Sequence, residues 1–410
     1  MPGHPRTRAH PGTAVPGFPA FQKGTPLMTS ATRPASGRQP SIAVIGGSIT
    51  GPVTALLLLR AGFDDVTVFE AAPASAPLGG GLIGLEHPAL DVLDRLDIDQ
   101  HEFVAHDSEA IVQMTVRDRR PAETIRRTYP GRNTTWTLLH QALIRRLPAG
   151  VLHSGMKVTA LVEQAGRPVL RFRDGHTAAA DLVVFADGRS STGRRLLDPE
   201  RALRYAGYVA HRGIADIAPE PGLRDFLRLQ PCPGVQFNLA PVPGGCDWTF
   251  YLDCTRAEYA QRFGADPTRR VFALPRHVSP AARAHVDSHA GLLLPADHAA
   301  VVHATTTRMA VPVLDITPPQ RMVWPVGAGH AVLLGDALAP VRPHTARGAN
   351  NGIEQAAGLA AALTQHRKYR ADLTAALHGW QRRHLPAAVA AVHRGPVIGH
   401  QLGLGTHQPA

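Results

Sequence analysis

The chain has 410 residues, 44% of them apolar and 18% charged, which is enough apolar material for the cores of two or three structural units and excludes wholesale disorder. Its three cysteines cannot complete a disulfide framework and lie at no zinc-like spacing, so we expect a cytoplasmic protein without a structural metal. The net charge is +11, but no basic stripe is interleaved with aromatic residues and no apolar run approaches the ~20 residues of a membrane span, so neither a nucleic acid nor a membrane is an expected partner.

The first forty residues differ from the rest of the chain. They contain eight prolines and five glycines and show no apolar periodicity. Because such a composition cannot bury a core, residues 1–38 are predicted to be a disordered leader. The leader has no apolar segment typical of a secretory signal, and Met28 offers an alternative start.

Order is predicted to begin with a βαβ unit. An apolar strand at Ile42–Ile45 leads through a glycine-rich turn into a helix at Pro52–Ala61, and a second apolar strand follows at Val66–Phe69. Strands that are apolar throughout are typical of a parallel sheet that is covered on both faces.

The rest of the chain mixes both kinds of element. Further helices are predicted at Pro88–Leu96, Trp136–Leu147, Gly348–Thr364 and Leu373–Val392, and residues 256–300 are read as helix and loop. Further strands are predicted at Ile111–Val116, Thr124–Thr128, Lys157–Glu163, Val169–Arg173, Leu182–Phe185, Tyr205–Ile214, Val235–Ala240, Trp248–Asp253 and Ala331–Leu334. An Asp174-Gly175 turn is predicted to close the hairpin formed by residues 157–163 and 169–173.

The distribution of the strands predicts how the chain is divided. Apolar, parallel-type strands lie at both ends of the chain, and alternating strands lie between them. The predicted fold class is therefore α/β, with a discontinuous Rossmann-like nucleotide-binding domain and an inserted β-rich substrate domain. The first domain would comprise residues 39–197 and 324–400 and the inserted domain residues 198–323, which strands from residues 108–130 would join.

The first chemical motif is Gly46-Gly47-Ser48-Ile49-Thr50-Gly51, which lies between the first strand and the first helix. Its glycines permit a tight turn and close packing of helix on strand, and the helix N-terminus offers free N–H groups to a pyrophosphate. Glu70 follows the second strand, where its carboxylate can accept hydrogen bonds from a ribose. The pattern predicts a dinucleotide site, and the alternative is a glycine-rich turn without a ligand.

Two further segments also begin where a predicted apolar strand ends. One is Asp187-Gly188-Arg189-Ser190-Ser191, and the other runs from Gly335-Asp336 through the proline-braced Pro340–Pro343 loop to Gly348. Each is common alone, as an Asp-Gly turn or a capped helix start. A helix that begins at Gly348 would present backbone donors to a group that becomes anionic.

Together, the three motifs resemble those of the single-component FAD-dependent aromatic hydroxylases, the flavoprotein monooxygenases related to p-hydroxybenzoate hydroxylase. The resemblance covers residues 41–395. Within that family, the Gly-Gly-Ser-Ile start, the stretch from Tyr205 to Gly213 and the Arg342-Pro343-His344 step are similar to the pattern of the 2,6-dihydroxypyridine hydroxylases.

The resemblance implies a set of cofactor-binding residues. Gly46–Gly51 would hold the FAD pyrophosphate, and Glu70 with Ala71 the adenosine ribose. Asp336 would bond the ribityl chain. The remaining implied contacts are Val158 at adenine, Asp187 in the motif shared by FAD and NAD(P)H, and Gly81, Leu82, Pro343, Ala346, Gly348, Ala349 and Asn350 around the flavin ring. Trp136 lies where most members have an arginine near the pyrophosphate, and His211 replaces a usual tryptophan or tyrosine.

The resemblance also implies the reaction. NADPH or NADH would reduce FAD, O₂ would form a C4a-hydroperoxyflavin, and an electron-rich aromatic or N-heteroaromatic small molecule would be hydroxylated by a monomer or homodimer. Arg212, His211 and His344 are candidate catalytic residues by position only. Phe237, Trp248, Phe250 and Tyr251 are expected to be core rather than pocket lining. Epoxidation or Baeyer–Villiger oxidation of a natural-product intermediate is an alternative, and a non-catalytic nucleotide-binding protein is a more remote one.

Overall fold

The computed structural model describes residues 39–76 and 79–405. The predicted leader, residues 1–38, lies outside the described residues. A helix with both the length and the hydropathy needed to cross a bilayer is absent from the described part of the chain.

In chain order, the helices are α1 (Thr50–Arg60), α2 (His87–Asp94), α3 (Trp136–Ile144), α4 (Thr192–Leu197), α5 (Arg256–Phe263), α6 (Pro280–Leu293), α7 (Ala296–Ala304), α8 (Gly348–Tyr369) and α9 (Leu373–Gln401). Helices α1, α2 and α3 agree with the predicted positions to within one turn, and α8 extends five residues past its predicted end at Thr364. Helix α9 continues nine residues past its predicted end at Val392 and contains both Pro386 and Pro396.

The strands include several that the sequence did not predict. In chain order they are β1 (Ile42–Ile45), β2 (Val66–Glu70), β3 (Leu82–Glu86), β4 (Ala110–Arg117), β5 (Arg120–Thr128), β6 (Gly131–Thr135), β7 (Leu152–Ser154), β8 (Val158–Gln164), β9 (Arg167–Phe172), β10 (Thr177–Ala179), β11 (Leu182–Phe185), β12 (Arg204–Ala215), β13 (Phe226–Gln230), β14 (Val235–Val242), β15 (Gly245–Asp253), β16 (Arg308–Asp315), β17 (Val323–Val326) and β18 (Gly329–Leu333).

A six-stranded sheet joins the two ends of the described chain. Its strand order is β17-β18-β11-β1-β2-β7, and β1 pairs in parallel with both β11 and β2. Every residue of β1 and of β11 is buried, as expected for strands covered on both faces. The carboxyl ends of β1, β11 and β18 therefore lie side by side at one edge, where the three motifs begin.

A seven-stranded sheet gathers the alternating strands, in the order β16-β12-β15-β14-β13-β4-β5. One face is apolar, where Phe237, Trp248 and Phe250 pack in a core with residues of α6 and α7. This mixed α/β architecture confirms the predicted fold class. The sheet also contains β4 and β5, which lie within residues 108–130.

The predicted position of one turn was wrong. Strands β8 and β9 are joined by Ala165 and Gly166, both in left-handed conformation with φ of 50° and 76°. The Asp174-Gly175 turn instead connects β9 to β10, which pairs with it antiparallel. Asp-Gly is a stronger turn signal than Ala-Gly, so the sequence favoured the later of the two turns.

Candidate active site

The glycine motif forms a tight turn from β1 into α1. Gly46 has a φ of 112°, and a β-carbon there would lie 2.7 Å from the Ala186 carbonyl carbon and 2.9 Å from the Asp187 Cα. The first turn of α1 carries no acidic residue and no side-chain cap, so its backbone N–H groups and the positive end of the helix dipole remain available to an anion. This cradle fits a pyrophosphate.

Trp136 and His140, on α3, brace the glycine turn from outside. The Trp136 indole N–H donates to Ser48 Oγ at 2.9 Å, and His140 Nε2 donates to the Gly47 carbonyl at 2.9 Å. The two rings stack with centroids 4.6 Å apart. Burial lowers the pKa of His140, so the imidazole is neutral at pH 7. Two neutral rings therefore occupy the place where the resemblance expects an arginine.

Glu70 ends β2 beside the same turn. Its carboxylate accepts from the Gly47 N–H at 2.6 Å and from the Ala72 N–H at 2.7 Å. Ala71 is exposed next to it, and Val158, at the start of β8, is buried in the core. The acid therefore lies at the end of the strand next to the glycine turn, as the sequence predicted.

The second motif is held by its own acid. The Asp187 carboxylate accepts from Ser191 Oγ at 2.5 Å and from the backbone N–H groups of Thr192 and Gly193 at 2.6 and 3.2 Å. Burial raises the pKa of Asp187, while these hydrogen bonds act in the opposite direction. Asp187 thus caps the start of α4 and fixes the loop that packs on Gly46.

Arg194 ties the second motif to the third. Its Nη1 donates to the carbonyl oxygens of Asp336 at 3.1 Å and Ala337 at 2.8 Å. The Asp336 carboxylate faces the Arg189 and Arg194 guanidinium groups, and burial raises its pKa. It lies 3.6 Å from the position that a β-carbon on Gly348 would take. Asp336 is therefore next to the first turn of α8.

The start of α8 is anchored by Asn350. Its Oδ1 accepts from the Glu86 N–H at 2.9 Å, and its Nδ2 donates to the carbonyl oxygens of Gly84 at 2.9 Å and Ala346 at 2.6 Å. Ala346 has a φ of 53°, in the region that favours glycine. These bonds fix the helix N-terminus, with Gly348 and Ala349 in its first turn, against β3.

A polar face of the seven-stranded sheet lies beside β3. Arg212 packs on Gly81, where a β-carbon would lie 2.6 Å from the arginine Cδ. The cross-strand register places Arg212 opposite Thr249, Thr249 opposite Asn238, and Asn238 opposite Arg228. This face is the candidate substrate side, because Gly81 and Leu82 belong to the segment that the resemblance places along the flavin ring.

His344 reaches the same polar face from the turn at Pro343–Thr345. Its ring lies 4.4 Å from the Tyr251 ring and 5.7 Å from the Tyr208 ring, and Nδ1 is 3.2 Å from Gln236 Oε1. Burial, with Arg228 and Arg342 adding repulsion, lowers the pKa of His344 to about 3. The imidazole is therefore neutral at pH 7, and its Nε2 is free to bond a ligand.

The polar face carries buried atoms that lack a hydrogen-bond partner within the described residues. They include Arg212 Nε, Arg228 Nε, Gln236 Nε2, Asn238 Oδ1, Asp247 Oδ1 and His344 Nε2. Buried polar atoms in proteins are nearly always paired, so a concentration of unpaired ones on one face indicates a ligand site.

His211 lies on the opposite face of β12 from Arg212. Its ring is 6.2 Å from the Phe263 ring of α5, and burial together with His285 and Arg262 lowers its pKa to about 3. Successive residues of a strand point to opposite faces, so the structure brings Arg212 and His344 together and leaves His211 behind the sheet.

The same alternation divides the four aromatic residues expected in the core. Phe237, Trp248 and Phe250 lie on the apolar face, and Tyr251 lies on the polar one, beside His344. The sequence analysis also missed Asp247, Gln236 and Asn238. Their signal was present as polar residues at alternate positions of otherwise apolar strands.

Comparisons with known proteins place the chain among characterised enzymes, although no family model matches it. It is 30% identical over 379 residues to 3-amino-4-hydroxybenzoate 2-monooxygenase from Streptomyces cremeus, a match that covers 85% of this chain and 89% of the relative. It is 27% identical to 6-hydroxynicotinate 3-monooxygenase from Pseudomonas fluorescens, covering 83% and 87%. The solved structure of 2,6-dihydroxypyridine-3-hydroxylase from Arthrobacter nicotinovorans superposes with a TM-score of 0.77 at 23% identity, covering 91% of this chain and 95% of that one.

Proposed function

This chain belongs to the flavin-dependent aromatic monooxygenases, and from that premise we propose that it uses NAD(P)H and O₂ to hydroxylate an electron-rich aromatic or N-heteroaromatic acid. The main support for an aromatic acid as the substrate is the polar face, where Arg212, Arg228 and His344 each have a buried atom without a hydrogen-bond partner among the described residues. FAD, when bound, supplies the hydride acceptance and the O₂ activation.

The residues fit FAD along the three motifs. The turn at Gly46–Gly51 and the free N-terminus of α1 suit the pyrophosphate, and Glu70 suits the adenosine ribose. Asp336 suits the ribityl chain. The N-terminus of α8, at Gly348–Asn350, suits a ring system that gains negative charge on reduction, because a helix N-terminus stabilises an anion.

An anionic substrate ring is supported by two guanidinium groups. Arg212 and Arg228 both face Tyr251 on the polar face. Burial lowers the pKa of Arg228, and Tyr251 is the titratable group that opposes this shift. Arg228 is half-buried and no carboxylate of the described residues acts on it, and a cation in such a setting is stabilised by a bound anion. The relatives named above act on an aminohydroxybenzoate and a hydroxynicotinate, both ring carboxylates.

His344 and Arg212 are proposed to orient the substrate. The neutral His344 can accept a hydrogen bond at Nε2 while Nδ1–H donates to Gln236, which fixes the tautomer. Arg212 can stabilise negative charge on the ring as oxygen is transferred. His211, shielded behind the sheet, has no contact with the polar face on which these roles depend.

The proposal also includes the compartment and the oligomeric state of the enzyme. We place the enzyme in the cytoplasm as a monomer or homodimer, and its three cysteines, all free thiols, suit a reducing compartment.

The experiment is a substrate screen with the purified protein. Hydroxylated benzoates, nicotinates and pyridines are tested for acceleration of NADH or NADPH oxidation, and products formed under ¹⁸O₂ are analysed by mass and NMR. We expect bound FAD, a carboxylated ring among the accelerating compounds, and one labelled oxygen as a new ring hydroxyl. A ring-expanded or epoxidised product would favour the alternative chemistry. A colourless protein that neither binds added FAD nor consumes NAD(P)H would overturn the assignment.

A further inference from the structure

Asp247, on β15, is a buried acid to which the proposed function gives no role. It is 1% exposed, and its Oδ1 has no hydrogen-bond partner within the described residues. Acidic side chains are almost never fully buried unless they are paired, because an uncompensated charge is strongly destabilising in the interior. The Oδ1 of Asp247 is therefore available to a partner that is not part of the protein.

The position of Asp247 points to the bound substrate as that partner. Asp247 lies opposite Ile214 on β12, two residues along the strand from Arg212 and on the same polar face. The Leu82 backbone amide interacts with its carboxylate. Arg212 in turn packs on Gly81, the residue before Leu82. Asp247 thus lies where the polar face meets the segment next to the proposed flavin ring.

The charged and titratable neighbours of Asp247 are few. Arg212, from β12, is the cation that acts on it, and Tyr251 and Cys246, from its own strand, carry acidic protons. Burial raises the pKa of Asp247 to about 7, although Arg212 and the Leu82 amide act to lower it. A carboxylate balanced in this way changes its protonation state near neutral pH.

We propose that Asp247 is a further catalytic residue of the proposed hydroxylation, on which this inference rests, and that its Oδ1 accepts the proton of a ring hydroxyl or ring N–H of the substrate. The O–H or N–H bond breaks, the electron pair stays on the ring, and the proton forms a new O–H bond with the carboxylate. No oxidant is consumed in this step. The ring becomes more electron-rich, Arg212 compensates its charge, and the proton returns when the product leaves.

The direct test follows the ionisation of a bound phenol. 4-Nitrophenol is titrated into the FAD-loaded enzyme without NAD(P)H over a pH series that spans the pKa of Asp247, about 7, and the absorbance of its anion is read as a difference spectrum against the free probe at the same pH. We expect the anion band in the wild-type complex and its loss in Asp247→Asn, which keeps the shape but accepts no proton. Asp247→Glu, which keeps the carboxylate, is expected to retain the band.

Asp297→Asn is the matched control, because Asp297 is an exposed acid at the start of α7. It should behave as the wild type. An equal band in Asp247→Asn, no band in the wild type, or no binding of the probe would each overturn the proposal. A pH titration of the probe bound to the wild-type enzyme gives a test that needs no variant. The anion band must appear at lower pH than for the free probe, and an unchanged midpoint would also overturn the proposal.

Turnover provides a second and independent readout. With a substrate from the screen, kcat/KM of the wild type is expected to rise with pH through about 7, because the base acts only when deprotonated. Asp247→Asn should lower kcat/KM by ~10²- to 10⁴-fold and flatten that limb. If Asp247→Asn still oxygenates the substrate with an unchanged pH profile, the catalytic role of Asp247 is wrong but the proposed function stands. If the wild type binds no flavin or oxygenates no substrate, the proposed function itself is wrong.

Discussion

Asp336 offers the sharpest test of the proposed cofactor site. Its position is fixed by its backbone, since Arg194 donates to its carbonyl oxygen at 3.1 Å, and alanine would keep that bond. Its carboxylate accepts no hydrogen bond from the turn at Gly335–Ala337 or from any other described residue, so a role as a local cap is not supported. We therefore expect Asp336→Ala to act on FAD affinity far more than on the stability of the apoprotein.

The size of the effect follows from the bond that is lost. A hydrogen bond to a charged group contributes roughly 1.5–3 kcal/mol, which corresponds to an affinity ~10- to 150-fold weaker. Asp336→Asn keeps the shape without the charge, so its loss should be smaller. Burial raises the pKa of Asp336, and the loss of its charge at acidic pH should therefore weaken FAD binding in the wild type but not in Asp336→Asn.

The assay is a flavin fluorescence titration of each apoprotein, with the melting temperature of the same samples as a measure of folding. Asp297→Asn serves as the control for removing an acid at a distance from the site. Unchanged FAD affinity in folded Asp336→Ala would refute the ribityl role. A fall in apoprotein melting with no change in affinity, corrected for the folded fraction, would show instead that the residue is structural.

Three further predictions are tested by FAD affinity, melting temperature and turnover. Trp136→Phe removes the indole N–H that donates to Ser48, so FAD affinity should fall about 2- to 12-fold, the equivalent of ~0.5–1.5 kcal/mol, and an unchanged value would show that this bond does not order the glycine turn. His344→Ala should lower kcat/KM with little change in melting, whereas His211→Ala should lower the melting temperature and leave kcat/KM of the folded fraction intact; the reverse outcome would contradict their placement on opposite faces. A chain that begins at Ser36 should match the full chain in melting, flavin content and turnover, and loss of any of these would give residues 1–35 a role.

The arrangement of the three motifs could be predicted because its signals are local. A buried strand, a glycine turn and a helix follow one another within residues 42–60, and the acid that ends β2 comes shortly after. Parallel strands bring their carboxyl ends to one edge, so three motifs that each begin at a strand end must meet there. Gly46 then contacts Ala186, and Arg194 contacts Asp336, as this rule requires.

The substrate side could not be predicted because it depends on which face of a sheet meets the cofactor. His211 is buried and Arg212 is half-buried in β12, but this difference is a result of the fold and cannot be read from the sequence of the strand. Strand alternation predicts only that the two point in opposite directions. Strands β3 and β13 determine which face of the sheet lies beside the three motifs, and the sequence did not predict either strand. Strand β3 (Leu82–Glu86) follows a run of glycines, and β13 (Phe226–Gln230) is short and lies between turns.

Two departures from the family pattern make sense only together. Ser48 is the middle residue of the first motif, where the resemblance expects a glycine, and Trp136, far away in the sequence, lies where it expects an arginine. The structure joins them through one hydrogen bond of 2.9 Å, with His140 stacked behind the indole and donating to Gly47. An arginine at this position would supply charge to a pyrophosphate, whereas the indole supplies order to the turn that holds it. In the proposed FAD site, the chain relies on backbone donors and the dipole of α1 where the resemblance expects a cation, and the hydroxyl of Ser48 gives the indole a partner that a glycine could not offer.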